Sequence, residues 1–114
     1  MRIVFCMPGR SYSGKFLQSW STLMVELQSA GIQFAISQKY DPVIYYARNR
    51  CLGGDLLKGE KQLPFQGQTN YDYIMWIDSD IIFKPEHFFK LLQHDKDIVS
   101  GLYMMTDLKH YATV

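Results

Sequence analysis

The spacing of apolar and polar residues changes twice in the first forty positions. Residues 3–7 form an apolar run that is typical of a buried strand, and a polar loop with Pro and Gly follows it. Beyond Ser13, apolar side chains recur at the spacing of one helical face: Phe16, Trp20, Leu23, Met24 and Leu27. Gly31 stands where a left-handed C-terminal cap is expected. Alternation over residues 32–37 then predicts a second strand with one polar face.

A second helix is predicted to begin at Asp41 and Pro42, which supply an N-cap and a first-turn residue. Its apolar stripe consists of Ile44, Ala47 and Cys51. Residues 58–70 are polar and contain Gly and Pro, so they predict a loop.

The pattern then returns to a strand at residues 73–77, which are apolar on both faces and so predict the central, most buried strand. Pro85 starts a third helix, and residues 98–104 predict a fourth strand. The element order βαβαβαβ predicts an α/β fold in a single domain, residues 1–114. Its sheet would be Rossmann-like and mostly parallel, with right-handed crossovers and helices on both faces.

Composition narrows the range of partners. Twelve basic and eleven acidic residues give a net charge of +1 without a long basic run, which argues against duplex nucleic acid as a partner. No apolar run approaches the roughly 18 residues of a membrane span, and the N-terminus lacks the pattern of a signal peptide. We therefore expect a cytoplasmic protein, in which Cys6 and Cys51 are buried, reduced thiols.

The main chemical signal is the pair Asp78 and Asp80, which interrupts the apolar pattern directly after residues 73–77. Open parallel sheets bind ligands beyond the carboxyl ends of their strands. Two close carboxylates repel each other unless a cation or hydrogen bonds relieve them, and their hard oxygens suit Mg²⁺ or Mn²⁺. A lone D-x-D more often serves only as a turn into the next helix, so the surrounding residues decide between the two interpretations.

The residues that surround Asp78 and Asp80 in the sequence resemble those of a known protein family. YYARNRCLGG at residues 45–54 and YDYIMWIDSDIIFKPEHFFKLL at residues 71–92 together resemble GT-A glycosyltransferases of the family 2-like type. In that family an A-R-N stretch on the second helix precedes a hydrophobic strand that ends in D-x-D, and a helix begun by proline follows. DIVSGLYMM at residues 97–105 is similar to the next strand of the family.

The resemblance implies a role for each matching residue. Asp80 would bind a divalent metal, Mn²⁺ or Mg²⁺, on the diphosphate of a nucleotide sugar. Asp78 would contact the ribose or reach the metal through water, with Ser79 as a spacer between them. Arg48 would lie near the base or the diphosphate, where its planar donors suit those acceptors. Asn49 would form local hydrogen bonds.

Two loops occupy positions where such folds hold the nucleoside. One follows the first strand and contains Pro8, Gly9 and Arg10, and the other follows the second strand and contains Ser37 and Gln38. Neither loop matches a Walker A or a G-x-G-x-x-G motif.

Late in the chain, His110 could add a nitrogen ligand to the metal, and Asp107 is the carboxylate available as a catalytic base. His87 and His94 are expected to face solvent. GT-A enzymes usually continue into an acceptor-binding half, so the chain would be either a minimal enzyme that is completed by self-association or a donor-binding half. A small sheet with open edges favours a homo-oligomer.

The sequence therefore predicts a metal-dependent glycosyltransferase that uses a nucleoside-diphosphate sugar, with UDP implied by the resemblance. The acceptor is unknown, and slow hydrolysis of the donor is expected. One alternative is a module that binds the nucleotide or nucleotide sugar without turnover. A second is a phosphatase of the haloacid dehalogenase type, whose D-x-D supplies a nucleophile and a general acid. In that fold the D-x-D normally follows the first strand, whereas here it follows the third predicted strand.

Overall fold

The computed structural model describes residues 1–101, and the chain divides into two compact units between Phe83 and Lys84. In the first unit, strands and helices alternate: β1 (Arg2–Pro8), α1 (Gly14–Ser29), β2 (Gln33–Lys39), α2 (Ile44–Cys51) and β3 (Tyr73–Trp76). Two short 3-10 turns, Leu56–Lys58 and Pro64–Gly67, lie between α2 and β3. The second unit contains α3 (Pro85–Gln93). The predicted α/β alternation is confirmed.

Within residues 1–101 the sheet has three strands in the order β2-β1-β3, and both pairings are parallel. Phe5 of β1 lies opposite Ile36 of β2 and Met75 of β3. Because the strands run in the same direction, their C-terminal ends share one edge of the sheet, which we call the carboxyl edge. The predicted parallel sheet is confirmed in this smaller form.

The central strand is β1, and the prediction that residues 73–77 form the most buried strand is wrong. All residues of β1 from Ile3 to Pro8 are buried, whereas Trp76 of β3 is exposed. The strand β3 pairs only with β1 in the described part of the chain, so one of its sides lacks a neighbouring strand. An apolar run shows that a strand is buried on its faces, but position within the sheet depends on contacts distant in sequence.

Alternate side chains of β1 pack against different helices. The ring of Phe5 makes an edge contact with Trp20 of α1, at 5.0 Å between centroids, and with Phe34 of β2 at 6.1 Å. On the other face, Val4 and Cys6 cluster with Cys51 at the end of α2. The two helices therefore cover opposite faces of the sheet, as predicted.

Hydrogen bonds cap both ends of α1, and the C-terminal cap at Gly31 is the one predicted. The hydroxyl of Ser13 accepts a hydrogen bond from the Phe16 N–H at 3.1 Å, which satisfies one free donor of the first turn. Gly31 adopts a φ of +71°, which glycine reaches without a steric penalty. The N–H of Gly31 donates to the Gln28 carbonyl and that of Ile32 to the Leu27 carbonyl, which is the Schellman arrangement.

The start of α2 differs from the prediction. Asp41 accepts a hydrogen bond from the Val43 N–H at 3.0 Å, which forms a local turn ahead of the helix. The helix therefore begins at Ile44, two residues later than the Asp41-Pro42 pair indicated. Ile44 is exposed rather than part of the apolar stripe, while Ala47 and Cys51 are buried as predicted.

The helix α3 begins at Pro85, as predicted, and Phe88 is its buried residue. His87 and His94 are exposed, and Nδ1 of His87 accepts the Lys84 N–H at 3.0 Å. Of the predicted fourth strand, residues 98–101 have no strand conformation, and residues 102–104 lie outside the described part. No helix within residues 1–101 combines the length and apolar character that a bilayer span requires.

The two cysteines are free thiols buried on the α2 face of the sheet. Sγ of Cys6 lies 3.9 Å from the carbonyl oxygen of Cys51. Burial, with a smaller contribution from the neighbouring Cys51, raises the pKa of Cys6 to about 12. The thiol is therefore protonated at neutral pH and unreactive, which matches the structural role predicted for it.

Substituting Leu23 by alanine should lower the free energy of unfolding by about 2 to 5 kcal/mol, because the change leaves a cavity beneath α1. Leu23 is fully buried. Leu17, on the same helix, has 61% of its surface exposed, so Leu17→Ala is the matched control and should change stability little. Urea unfolding followed by circular dichroism measures both variants. Equal losses would contradict this description of the α1 face.

Candidate functional site

The loop that follows β1 is joined to the end of β2 at the carboxyl edge of the sheet. Ser37 and Gln38, which were predicted to follow the second strand, lie within β2. The N–H of Gly9, just after β1, donates to the carbonyl of Lys39 at 3.0 Å. The carbonyl of Gly9 accepts the side-chain amide of Gln38 at 2.6 Å. Gln38 and Gly9, two of the predicted nucleotide-binding residues, therefore hold each other directly.

The turn after β3 lies against the same loop. A Cβ atom placed on Gly9 would stand 2.7 Å from Cβ of Ser79 and 3.0 Å from its hydroxyl oxygen. Side chains essentially never approach that closely, so the D-x-D turn can occupy this position only because residue 9 is a glycine. The loop after β1 thus meets both the end of β2 and the turn after β3 at one place.

This place is also the topological switch point of the sheet. From β1 the chain passes through α1 to β2 on one side, and from β2 it passes through α2 to β3 on the other side of β1. A crevice forms where successive connections leave a parallel sheet in opposite directions, and ligands of open α/β folds bind there. The D-x-D turn lies at this switch point, beside the end of β1.

Backbone hydrogen bonds fix the D-x-D turn. The N–H of Ile77 donates to the Cys6 carbonyl at 3.1 Å, which continues the pairing of β3 with β1 for one more residue. The N–H of Ile81 then donates to the Asp78 carbonyl at 3.3 Å and closes the turn. Asp78 is half-buried and Asp80 is exposed, so both carboxylates remain accessible to a ligand.

The residues after the turn are anchored to α1. Phe83 donates its N–H to the hydroxyl of Ser19 at 3.3 Å, and Ser19 is buried. The Phe83 ring makes an edge contact with Phe16, with the centroids 5.9 Å apart. The turn is therefore fixed at both ends, by β1 before it and by α1 after it.

Arg48 of α2 approaches the D-x-D turn from the opposite face of the sheet. Its Nη2 atom lies 3.8 Å from Oδ2 of Asp78. This separation is longer than a direct hydrogen bond, and the two side chains are 53% and 38% exposed. Such a solvated pair contributes little to stability, so the guanidinium can turn toward a ligand at small cost. The contact nevertheless brings the A-R-N and D-x-D motifs together.

Tyr12 belongs to this site, although no pattern in the sequence indicated it. Its hydroxyl donates to the Met7 carbonyl at 2.6 Å, and its ring packs on Phe16 at 4.9 Å. Burial raises the pKa of Tyr12, and a hydrogen bond with Gln38 partly opposes that shift. Tyr12 therefore supports the loop after β1 from inside, and only contacts of the folded chain could have shown this.

The other predicted site residues have local roles. The hydroxyl of Ser37 donates to the Cys51 carbonyl at 2.6 Å, so it satisfies the C-terminal end of α2. The Asn49 side chain lies against Gly54, at a distance that leaves no room for a Cβ atom there. Pro8 is buried at the end of β1, and Arg10 is exposed beside Gly9.

The donors at the turn are chemically suited to a hard divalent cation. Mg²⁺ and ions like it are commonly held by one or two carboxylates, with substrate phosphates and water as the remaining ligands. Asp78 and Asp80 supply two such carboxylates. Residues 1–101 contain no group of three or more His, Cys, Asp or Glu side chains arranged for a metal. Asp107 and His110 lie outside the described residues.

Comparison with known proteins adds no relative. No family model matches the chain, and the searches of curated proteins and of solved structures return no match. The assignment of a function therefore depends on the residues and their geometry.

We predict that Gly9→Ala displaces the D-x-D turn, because the new methyl group meets Ser79. The loss of unfolding free energy should be about 1 to 3 kcal/mol, as for other overpacked sites. Ser79→Gly removes both of the closest atoms, so the double variant Gly9→Ala/Ser79→Gly should recover part of this loss. Thermal unfolding of the two single variants and the double variant measures the coupling.

Gly14→Ala provides the control, since nothing lies within 4 Å of a Cβ atom at Gly14. It should not destabilise the protein. If the changes in unfolding free energy of the Gly9 and Ser79 substitutions were strictly additive, the two residues would not be in contact.

Proposed function

We propose that the chain is a metal-dependent glycosyltransferase of the GT-A type, or its donor-binding half, that acts on a UDP-sugar. The observation that carries this proposal is the contact between Arg48 and Asp78. It brings together two motifs that are distant in sequence, at the edge of the sheet where this class of fold binds nucleotides.

The proposed roles follow from the exposure and position of each side chain. Asp80, which is exposed, and Asp78, which is half-buried, would hold Mn²⁺ or Mg²⁺ on the diphosphate. The bound cation would neutralise the negative charge that develops on the diphosphate as it leaves the sugar. Arg48 would turn from Asp78 to a phosphate oxygen, which its planar donors suit. The backbone of the loop at Gly9 would form the floor beneath the nucleoside.

A binding module without turnover is the closest competing proposal. The described residues would form only the donor side of the proposed site, and the candidate base Asp107 lies outside them. Release of sugar from a panel of UDP- and GDP-sugars, compared with a control that lacks protein, separates an enzyme from a binding module. The phosphatase alternative has less support, because β1 ends at Pro8 and is followed by Gly9 rather than by an aspartate.

Binding of UDP should require a divalent cation and should be lost in chelator, because the two carboxylates otherwise repel the phosphates. Asp80→Asn should reduce Mn²⁺-dependent affinity by at least about tenfold, or ~1.4 kcal/mol, and by more than Asp78→Asn does. Asp78 already has a partial counter-charge in Arg48, so its loss changes the field less. Calorimetric titration with and without Mn²⁺ measures these effects.

Asp97→Asn removes one exposed carboxylate from the second unit and is the matched control. It should leave UDP affinity unchanged. Equal UDP affinity in chelator and in Mn²⁺ would exclude a metal-bridged diphosphate.

We also propose that the chain is a homodimer that pairs through the outer edge of β2. In the described residues β2 pairs only with β1, and beside it lies an open groove of about 640 Å³. The groove is lined by uncharged residues: Ser21, Met24, Val25, Gln28, Ile32, Gln33 and Phe34. Antiparallel pairing of two β2 strands would place each Lys39 near the start of the other strand, so the like charges stay apart.

Light scattering at micromolar concentration should therefore give twice the chain mass of 13.3 kDa. Ile36→Lys places a charge in the middle of β2 and should give a monomer. Leu57→Lys, at a residue that is 95% exposed outside this groove, should leave the mass unchanged. A monomeric wild-type protein would refute the proposal.

A further inference from the structure

The segment between β2 and α2, together with the first turn of α2, exposes several large apolar side chains. Five such residues lie within seven positions: Tyr40, Val43, Ile44, Tyr45 and Tyr46. We call them the 40–46 patch. Single exposed apolar residues are common on protein surfaces, but a contiguous group is unusual and indicates contact with something other than water.

The late start of α2 explains why this patch is exposed. The first buried residue of the helix is Ala47, so the whole turn before it extends past the part of α2 that covers the sheet. The rings of Tyr45 and Tyr46 pack against each other at 4.6 Å between centroids. Part of the patch is therefore preformed, and little side-chain entropy remains to be lost on binding.

Basic residues flank the patch along the chain, and one of them lies beside it in space. Residues 39–50 contain three basic side chains, Lys39, Arg48 and Arg50, and one acidic side chain, Asp41. Arg50 donates to the Tyr40 carbonyl at 3.4 Å, which places its guanidinium beside the patch. Because Asp41 already accepts the Val43 N–H, its carboxylate is directed at the backbone of the same segment.

We propose that the 40–46 patch is a membrane-contact surface, which inserts its apolar side chains at the headgroup level of an anionic bilayer. Tyrosine favours this level because its ring is apolar and its hydroxyl is polar. Val43 and Ile44 reach the acyl boundary, while Lys39 and Arg50 lie near lipid phosphates. The charge complementarity selects an anionic surface.

The test is co-sedimentation of the full chain with vesicles, without nucleotide or metal, so that it does not depend on the proposed enzyme function. One set of vesicles contains phosphatidylcholine alone, and the other contains equal parts of phosphatidylcholine and phosphatidylserine. We expect binding to the anionic vesicles, weaker binding to the neutral ones, and release as salt screens the basic side chains.

Substitutions locate the surface. Ile44 is 51% and Tyr45 63% exposed, and Ile44→Ser/Tyr45→Ser should lower partitioning to anionic vesicles by at least about tenfold. Arg50→Gln should lower it by about fivefold and reduce the preference for anionic lipid. The control is Leu57→Ser/Leu63→Ser, which removes two side chains that are 95% and 69% exposed elsewhere, and it should partition as wild type does.

Three results would overturn the proposal. The first is failure of the wild-type protein to bind anionic vesicles. The second is equal partitioning of the Ile44→Ser/Tyr45→Ser and wild-type proteins. The third is a fall in molar mass of that double variant without vesicles, since this would assign the patch to contact between copies of the chain.

Discussion

Burial of β1 on both faces is the constraint on which the rest of the first unit depends. Phe5 faces α1, Cys6 faces the end of α2, and no residue from Ile3 to Pro8 reaches solvent appreciably. A strand buried in this way needs a hydrogen-bonded neighbour on each side, because its backbone groups cannot turn to water. With β2 and β3 both parallel to β1, the end of β2 with Gln38, the loop with Gly9 and the turn with Ser79 lie at the same edge of the sheet.

Local signals in the sequence predicted local structure accurately. The spacing of the apolar face beyond Ser13 and the Gly31 cap predicted α1, because helix ends are determined by a few neighbouring residues. The same approach failed for α2, where Asp41 binds the Val43 N–H and the helix starts later. It also misplaced the central strand. Residues 3–7 and 73–77 are similarly apolar, and only pairing between distant segments distinguishes their positions in the sheet.

The sequence allowed us to predict the charged residues of the candidate site, but not the contacts that hold those residues in position. Asp78 and Arg48 could be selected from motifs, and they do lie near each other. The approach of Gly9 to Ser79, the Gln38 amide on the Gly9 carbonyl and the position of Tyr12 have no signature in the sequence. The first two depend on segments that meet only after the sheet has formed, and the third on how the loop after β1 folds back onto its own strand. The chemistry of a site is thus easier to predict than the contacts that position it.

The half-exposed pair of Arg48 and Asp78 is consistent with the proposed site, which would have to exchange ligands. A buried, closely hydrogen-bonded pair would cost several kcal/mol to separate, whereas a solvated pair at 3.8 Å costs at most about 1 kcal/mol. The fixed element is instead the backbone of the D-x-D turn, which β1 and α1 hold at either end. A rigid turn with mobile charges can keep its carboxylates in place while Arg48 moves from one anion to another. That combination suits the reversible binding of a diphosphate better than a purely structural ion pair.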